Sequence, residues 1–237
     1  MIYLYSGTPG SGKSLHTAHD IVSKLRRKHR VIANFPIDLD VVKKGLFLNY
    51  NIGIFKYFDN SELTVEALID FAKNNHVMGK EGQTLLIIDE CQVIFNAREF
   101  NSKDRMKWIK FFTQHRKLGY NVILIAQNDR MIDRQIRALV EYEIRHRKAN
   151  SFGTIGMLIP VPLFASVTYW YGVKERIGVE FFIYSKKYSK LYDSYMMFDT
   201  VLSATGEVST CGGDPVAVQS VKNTNIDFKV ALQNLKQ

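Results

Sequence analysis

The chain has 237 residues, a formal charge of +9 and a pI near 9.4. With 46% hydrophobic and 23% charged residues it is not a disordered or fibrous chain, and it is long enough for one large domain or a domain with an appendage. Two cysteines, Cys91 and Cys211, exclude a disulfide framework and fit a reducing, cytosolic compartment; the basic balance suits an acidic partner (nucleic acid, a phospholipid surface or nucleotide) or simply a solvated face.

Residues 1–5, Met-Ile-Tyr-Leu-Tyr, read as a strand. Residues 7–14, Gly-Thr-Pro-Gly-Ser-Gly-Lys-Ser, form a full Walker A loop, and residues 15–25 carry Leu15, Ala18, Val22 and Leu25 at helical spacing. Strand, glycine-rich loop and helix is the context in which this motif cradles phosphate. Glycines let the backbone turn its N–H groups toward an anion, and the positive end of the helix faces the same point. The nucleotide-binding set is Pro9, Gly10, Ser11, Gly12, Lys13, Ser14 and Leu15. Lys13 reaches β- and γ-phosphate oxygens and Ser14 binds Mg²⁺. Without phosphate, Lys13 is expected to face solvent. The loop begins at once, so no signal peptide is expected.

A basic run follows, Lys24, Arg26, Arg27, Lys28 and Arg30, then a strand at 31–33 closed by Asn34-Phe35-Pro36. Residues 46–58 suggest one or two short strands, 62–75 a helix and 79–82 a loop. Residues 84–88, Thr-Leu-Leu-Ile-Ile, are a continuous apolar strand of the kind buried in a parallel sheet. That strand delivers Asp89 and Glu90, a Walker B pair: Asp89 as Mg²⁺ ligand and Glu90 as general base for the attacking water. A glutamate directly after the aspartate marks NTPases with an added strand between loop and acid, and the segments near Val31 and after Leu46 leave room for it.

Ser102 is placed to cap a helix running to about Lys117 and ended by Gly119. Residues 121–126 form a second buried strand ending at Gln127, a position from which a polar side chain senses γ-phosphate. Arg116, at the end of the preceding helix, is either an arginine finger for a neighbouring subunit or a cation favoured by the helix dipole. Residues 129–139 read as a helix bearing Arg130, Arg134 and Arg137, which are reserve fingers or a partner-facing patch; 141–147 read as a strand. Alternating strands and helices predict a doubly wound α/β sheet of the P-loop NTPase type.

Residues 149–173 hold no Asp, Glu, Lys or Arg for 25 positions. Length alone permits a membrane span. Pro160 and Pro162, with Gly153 and Gly156, argue instead for β-structure, packed or at an interface. Late strands are expected at 181–184 and 192–198. The domain is read as 1–200, with 149–200 a β-rich extension, and 201–237 as a polar tail or linker.

The ordered combination of residues 1–14, Ile87-Ile88-Asp89-Glu90, His115-Arg116 and the strand ending at Gln127 resembles the zonular occludens toxin-like family, which includes filamentous-phage assembly ATPases. Lys190-Leu191-Tyr192-Asp193 resembles its late region. Arg116-Lys117-x-Gly119 followed by Gln127 is also similar to the FtsK/HerA DNA translocases. The resemblance implies an oligomeric ATPase, with ATP and Mg²⁺, acting with phage DNA, virion proteins or membrane partners on the cytoplasmic side of the inner membrane. Family members continue into a membrane-spanning segment, which the sequence to Gln237 lacks unless 149–173 serves. The rivals are a DNA-packaging or conjugation-type translocase, a small-molecule kinase, and a nucleotide-dependent interaction module.

Overall fold

The structure is a computed structural model that describes residues 1–44, 51–96, 102–149 and 162–191. The expected strand at 192–198, the tail at 201–237 and Cys211 lie outside the described residues. The elements are β1 (Ile2–Ser6), α1 (Lys13–Arg26), β2 (Arg30–Ala33), α2 (Leu39–Lys43), β3 (Phe55–Tyr57), α3 (Val65–Asn75), β4 (Thr84–Ile88), α4 (Ser102–Gln114), β5 (Tyr120–Ile125), α5 (Arg134–Arg137), β6 (Tyr142–Lys148), β7 (Leu163–Trp170), β8 (Glu175–Ile183) and α6 (Lys186–Ser189).

One eight-stranded sheet runs in the order β3-β2-β4-β5-β1-β6-β7-β8. The first six strands in that order pair in parallel; β7 and β8 add antiparallel to the β6 edge. Successive side chains of a strand point to opposite faces, and the sheet therefore buries two cores. Leu4, Ile32, Leu86, Ile88, Val122 and Leu124 face α3, α4 and α5. Tyr5, Val31, Ala33, Leu85, Ile87, Ile123 and Ile125 face α1 and α2. Burial on both faces explains why β4 reads as an uninterrupted apolar run.

Several expectations shift. The strand interposed between β1 and the acid-bearing β4 is β5, whereas the strand at Val31 lies on the far side of β4. The helix expected at 62–75 starts at Val65, because the Thr64 side chain accepts from Ala67 N–H and caps it. The helix expected to reach Lys117 stops at Gln114, and Gly119 takes φ +84° in the turn that follows. The helix expected over 129–139 is broken into a single 3₁₀ turn, Asp129–Met131, and the short α5. Asn128 and Asp133 each cap their own turn, so the second cap ends the first.

The uncharged stretch behaves as expected over its described part: Leu163–Trp170 is a strand, and β7 and β8 extend the same sheet beyond β6. No helix among the described residues is long and apolar enough to cross a membrane.

Candidate active site

The C-terminal ends of β1, β4 and β5 converge, and the loop after β1 lies at that edge. β5 pairs with both neighbours, Tyr5 opposite Ile125 and Ile88 opposite Leu124, so Asp89 stands about 10 Å across from the phosphate loop, two strand spacings. Gly7 and Gly12 have φ +146° and +97°. A Cβ on Gly7 would lie 2.6 Å from the His146 carbonyl oxygen and 2.7 Å from Ser11 Oγ; one on Gly12 would lie 2.7 Å from the Phe164 ring. The loop is thus seated against β6 and β7, and Phe164, from the uncharged stretch, packs directly beneath it.

Lys13 is half-buried rather than solvent-facing. Its Nζ donates to the Gly7 carbonyl at 2.6 Å and to the Thr8 carbonyl at 3.2 Å. Burial lowers its proton affinity, while Glu90 and Asp89 act in the opposite direction, which places both carboxylates within electrostatic reach of the ammonium. Pro9, Gly10 and Ser11 line a cleft of about 620 Å³ together with Gln127, Asn128, Glu143, Arg145 and His146. Ser11 Oγ is buried without a hydrogen-bond partner among the described residues. Ser14 is exposed at the start of α1. Leu15, in the first turn of α1, lines a different depression with His19 and Phe182.

Asp89 accepts the Glu90 N–H at 2.9 Å. Its carboxyl is pushed up to about 6 by burial; the Glu90 N–H and Lys13 hold it down, and the Glu90 carboxylate adds to the rise. Glu90 sits at φ +44°, a conformation that costs a non-glycine residue ~1–3 kcal/mol and recurs at functional sites. Its exposed carboxylate accepts from Gln92 Nε2.

Arg116 is not at this edge. It is exposed and paired with Glu141, whose carboxylate also accepts the Ile2 N–H. Glu141 lies at the opposite, Met1 end of β1, about 16 Å of strand from the phosphate loop. Within one chain the structure therefore separates Arg116 from Lys13, Asp89, Glu90 and Gln127. Arg130 and Arg134 are exposed, and Arg137 donates to the Asp129 carbonyl at 3.2 Å.

Three neighbours of the site escaped the sequence reading. Asn34, which closes β2, accepts the Asp89 N–H at 2.7 Å and donates to the Asp89 carbonyl at 2.9 Å and to Asn60 Oδ1 at 2.8 Å. Glu143 accepts from Ser6 Oγ at 2.7 Å and from Arg145 at 2.8 Å. His146 sits 2.8 Å from His16 through a ring-to-ring hydrogen bond. Asn34 had a signal, a polar residue directly after an apolar strand; Glu143 and His146 lie in a strand of mixed polarity and had none.

The donor set fits Mg²⁺: the Ser14 hydroxyl and the Asp89 carboxylate are hard oxygen ligands, and the loop presents backbone N–H groups beside an ammonium and a buried hydroxyl. The chain has the fold of a P-loop NTPase, with Lys13, Asp89, Glu90 and Gln127 at one edge of the sheet.

The profile of the zonular occludens toxin (Zot) family matches residues 1–197. The Gene 1 protein of Enterobacteria phage M13 is 28% identical over 207 residues, 82% of this chain and 58% of that protein; the Gene 1 protein of Escherichia phage If1 is 28% identical over 168 residues, 70% and 45%. The chain thus spans about half the length of these relatives. Among solved structures, the N-terminal domain of zonular occludens toxin from Neisseria meningitidis superposes with a TM-score of 0.50 at 20% identity, covering 81% of this chain and 98% of that one. The DNA-packaging ATPase from Sulfolobus turreted icosahedral virus also gives 0.50, at 16% identity, covering 76% and 95%. Both share the fold. By the extent of the profile match, the chain belongs to the zonular occludens toxin (Zot) family.

Proposed function

We propose that the chain is an Mg²⁺-dependent ATPase, working as a homo-oligomeric motor in filamentous-phage assembly and extrusion on phage DNA or virion proteins at the cytoplasmic side of the inner membrane. The observation that carries the hydrolytic reading is the shared edge of three strands: Lys13 after β1, Gln127 after β5 and the Asp89–Glu90 pair after β4. Family membership supports the assembly setting.

ATP phosphates enter the cleft over Gly7–Ser11, and Lys13 exchanges its two carbonyl partners for phosphate oxygens. Ser14 and Asp89 would hold Mg²⁺, which neutralises charge building on the phosphates. Glu90 accepts the proton of the attacking water, and Gln127 orients that water. The alternative translocase reading keeps the same chemistry and differs in the partner that stimulates it.

The test is Glu90→Gln. It should bind ATP and Mg²⁺ as tightly as the parent and hydrolyse at least ~10²-fold more slowly. Normal turnover in this variant would remove Glu90 from the mechanism. Strong stimulation of the parent by DNA alone would favour the translocase.

A further inference from the structure

Away from the nucleotide cleft, four lysines converge on one depression. Arg26 of α1 donates to the Val42 carbonyl at 3.0 Å and the Lys44 carbonyl at 2.8 Å, and Lys187 of α6 donates to the same Lys44 carbonyl at 3.1 Å. These bonds tie the end of α1, the end of α2 and α6 together. Between them lies a hollow of about 360 Å³ lined by Val41, Lys44, Lys186, Lys187 and Lys190. Among the described residues, no carboxylate oxygen comes within 4 Å of these four ammonium groups. On the packed elements, Asp38 is occupied capping α2 through the Asp40 N–H at 2.8 Å, and Asp20 accepts from Tyr5 at 2.6 Å. Lys187 binds its proton less tightly than an ordinary lysine, through burial first and then the nearby Arg26 and Lys44 charges. Like charges held together store repulsion that an anionic partner would relieve.

An apolar crest adjoins the hollow. Phe181, Ile183 and Tyr184, at the end of β8, are 65%, 58% and 43% exposed. Ile183 and Phe181 share a second depression with Tyr188 of α6, and Tyr184 OH donates to Ser189 Oγ of α6 at 2.9 Å, so crest and lysines form one continuous surface.

We propose that this surface docks on an anionic phospholipid bilayer, with the lysines around lipid phosphates and Phe181, Ile183 and Tyr184 entering the headgroup layer. Lysine stems can lie along apolar surface while their ammonium groups stay at the polar level, and exposed apolar side chains beside clustered lysine are the composition of peripheral membrane faces. Nucleic acid is the poorer occupant. A strand of phosphates needs cations spread along a track, whereas these lysines converge. The proposal deepens the membrane setting proposed above but needs no nucleotide.

The test is co-sedimentation of the 237-residue chain, without nucleotide, with phosphatidylcholine vesicles and with vesicles containing phosphatidylglycerol, at low and high salt. ATPase activity is measured on the same preparations as the check on folding and on the hydrolytic reading separately. The parent should bind the anionic vesicles and release them in high salt. Lys186→Glu with Lys190→Glu should weaken that binding ~10-fold or more. Lys80→Glu with Lys110→Glu, equal in charge and placed elsewhere, should not. Phe181→Ser with Ile183→Ser should weaken it at low salt with the lysines intact. Equal binding to neutral vesicles, no vesicle binding, or a Lys186/Lys190 variant that loses oligonucleotide binding while keeping vesicle binding would overturn the proposal.

Discussion

Asn34 and Asp89 meet across adjacent strands as a closed pair: the Asn34 amide takes the Asp89 N–H at 2.7 Å and gives an N–H to the Asp89 carbonyl at 2.9 Å. Asn34 is 7% exposed and its other contact is Asn60, after β3. The backbone from which both acidic side chains project is thus clamped by a side chain from β2.

Asn34→Ala should leave ATP affinity near that of the parent and lower kcat by ~10-fold or more, since misplacing a reacting group by a fraction of an ångström is costly. Removing a buried amide and orphaning two backbone groups should also cost about 1–3 kcal/mol of stability. Steady-state kinetics with thermal melts separates the two effects. A kcat within two-fold of the parent at a temperature where the variant is folded would reduce Asn34 to a structural bond.

Asp89 gives a stability signature opposite to that of a paired carboxylate. Its folded carboxyl titrates at about 6 against an ordinary 3.8, because burial disfavours its charge. Between those values the folded chain holds a proton that the unfolded chain has released. The resulting stabilisation is full below 3.8 and is lost as pH rises through about 6. Asp89→Asn removes that loss. At about pH 7.5 with chelator it should melt a few degrees above the parent, a gap that narrows at about pH 4, while the Mg²⁺ dependence of its turnover weakens. A variant that melts lower than the parent under the first condition would contradict the assigned burial cost.

Arg116 pairs with Glu141 at the Met1 end of β1, so any action on phosphate must cross a subunit boundary. Arg116→Ala is expected to reduce turnover ~10³-fold with ATP affinity much less affected. Mixed with excess Glu90→Gln, it should regain activity above the sum of the parts, since each subunit supplies what the other lacks. A mixture no better than that sum leaves Arg116 as an exposed ion-pair partner, worth about 1 kcal/mol or less.

The parts of the site that were legible in the sequence are those whose spacing is set by one turn of chain: Gly7 to Ser14, and Asp89–Glu90 at the end of an apolar run. What binds them to each other was not legible. β5 enters the sheet between β1 and β4 although it follows both in sequence, and nothing local to Val31 or Tyr120 distinguishes which strand takes that place. Two side-chain caps, Asn128 and Asp133, outweighed helical periodicity after Gln127. Phe164 read as one more apolar residue of an uncharged stretch; only the sheet order shows that it supports Gly12. Asn34, Glu143 and His146 act through partners 55, 137 and 130 positions away, a range over which hydrophobic patterning carries no information.

The His16–His146 pair should make the fold acid-sensitive. His146 is lowered to about 3 by burial first, then by His16 and Lys13, with the Ser6 carbonyl opposing. His16 is lowered by burial and His19, with Asp20 and Glu180 opposing. Below pH 6.5 the unfolded chain takes up protons that the folded pair refuses, so this contribution is full above 6.5 and falls as pH drops toward 3. The parent should therefore lose melting temperature as pH falls from about 7 to 5. His146→Gln keeps a polar group of similar reach without the titration, and should show a flatter dependence. Melting curves at matched ionic strength measure the two slopes. Parallel slopes in parent and variant would mean that the acid sensitivity arises elsewhere in the chain.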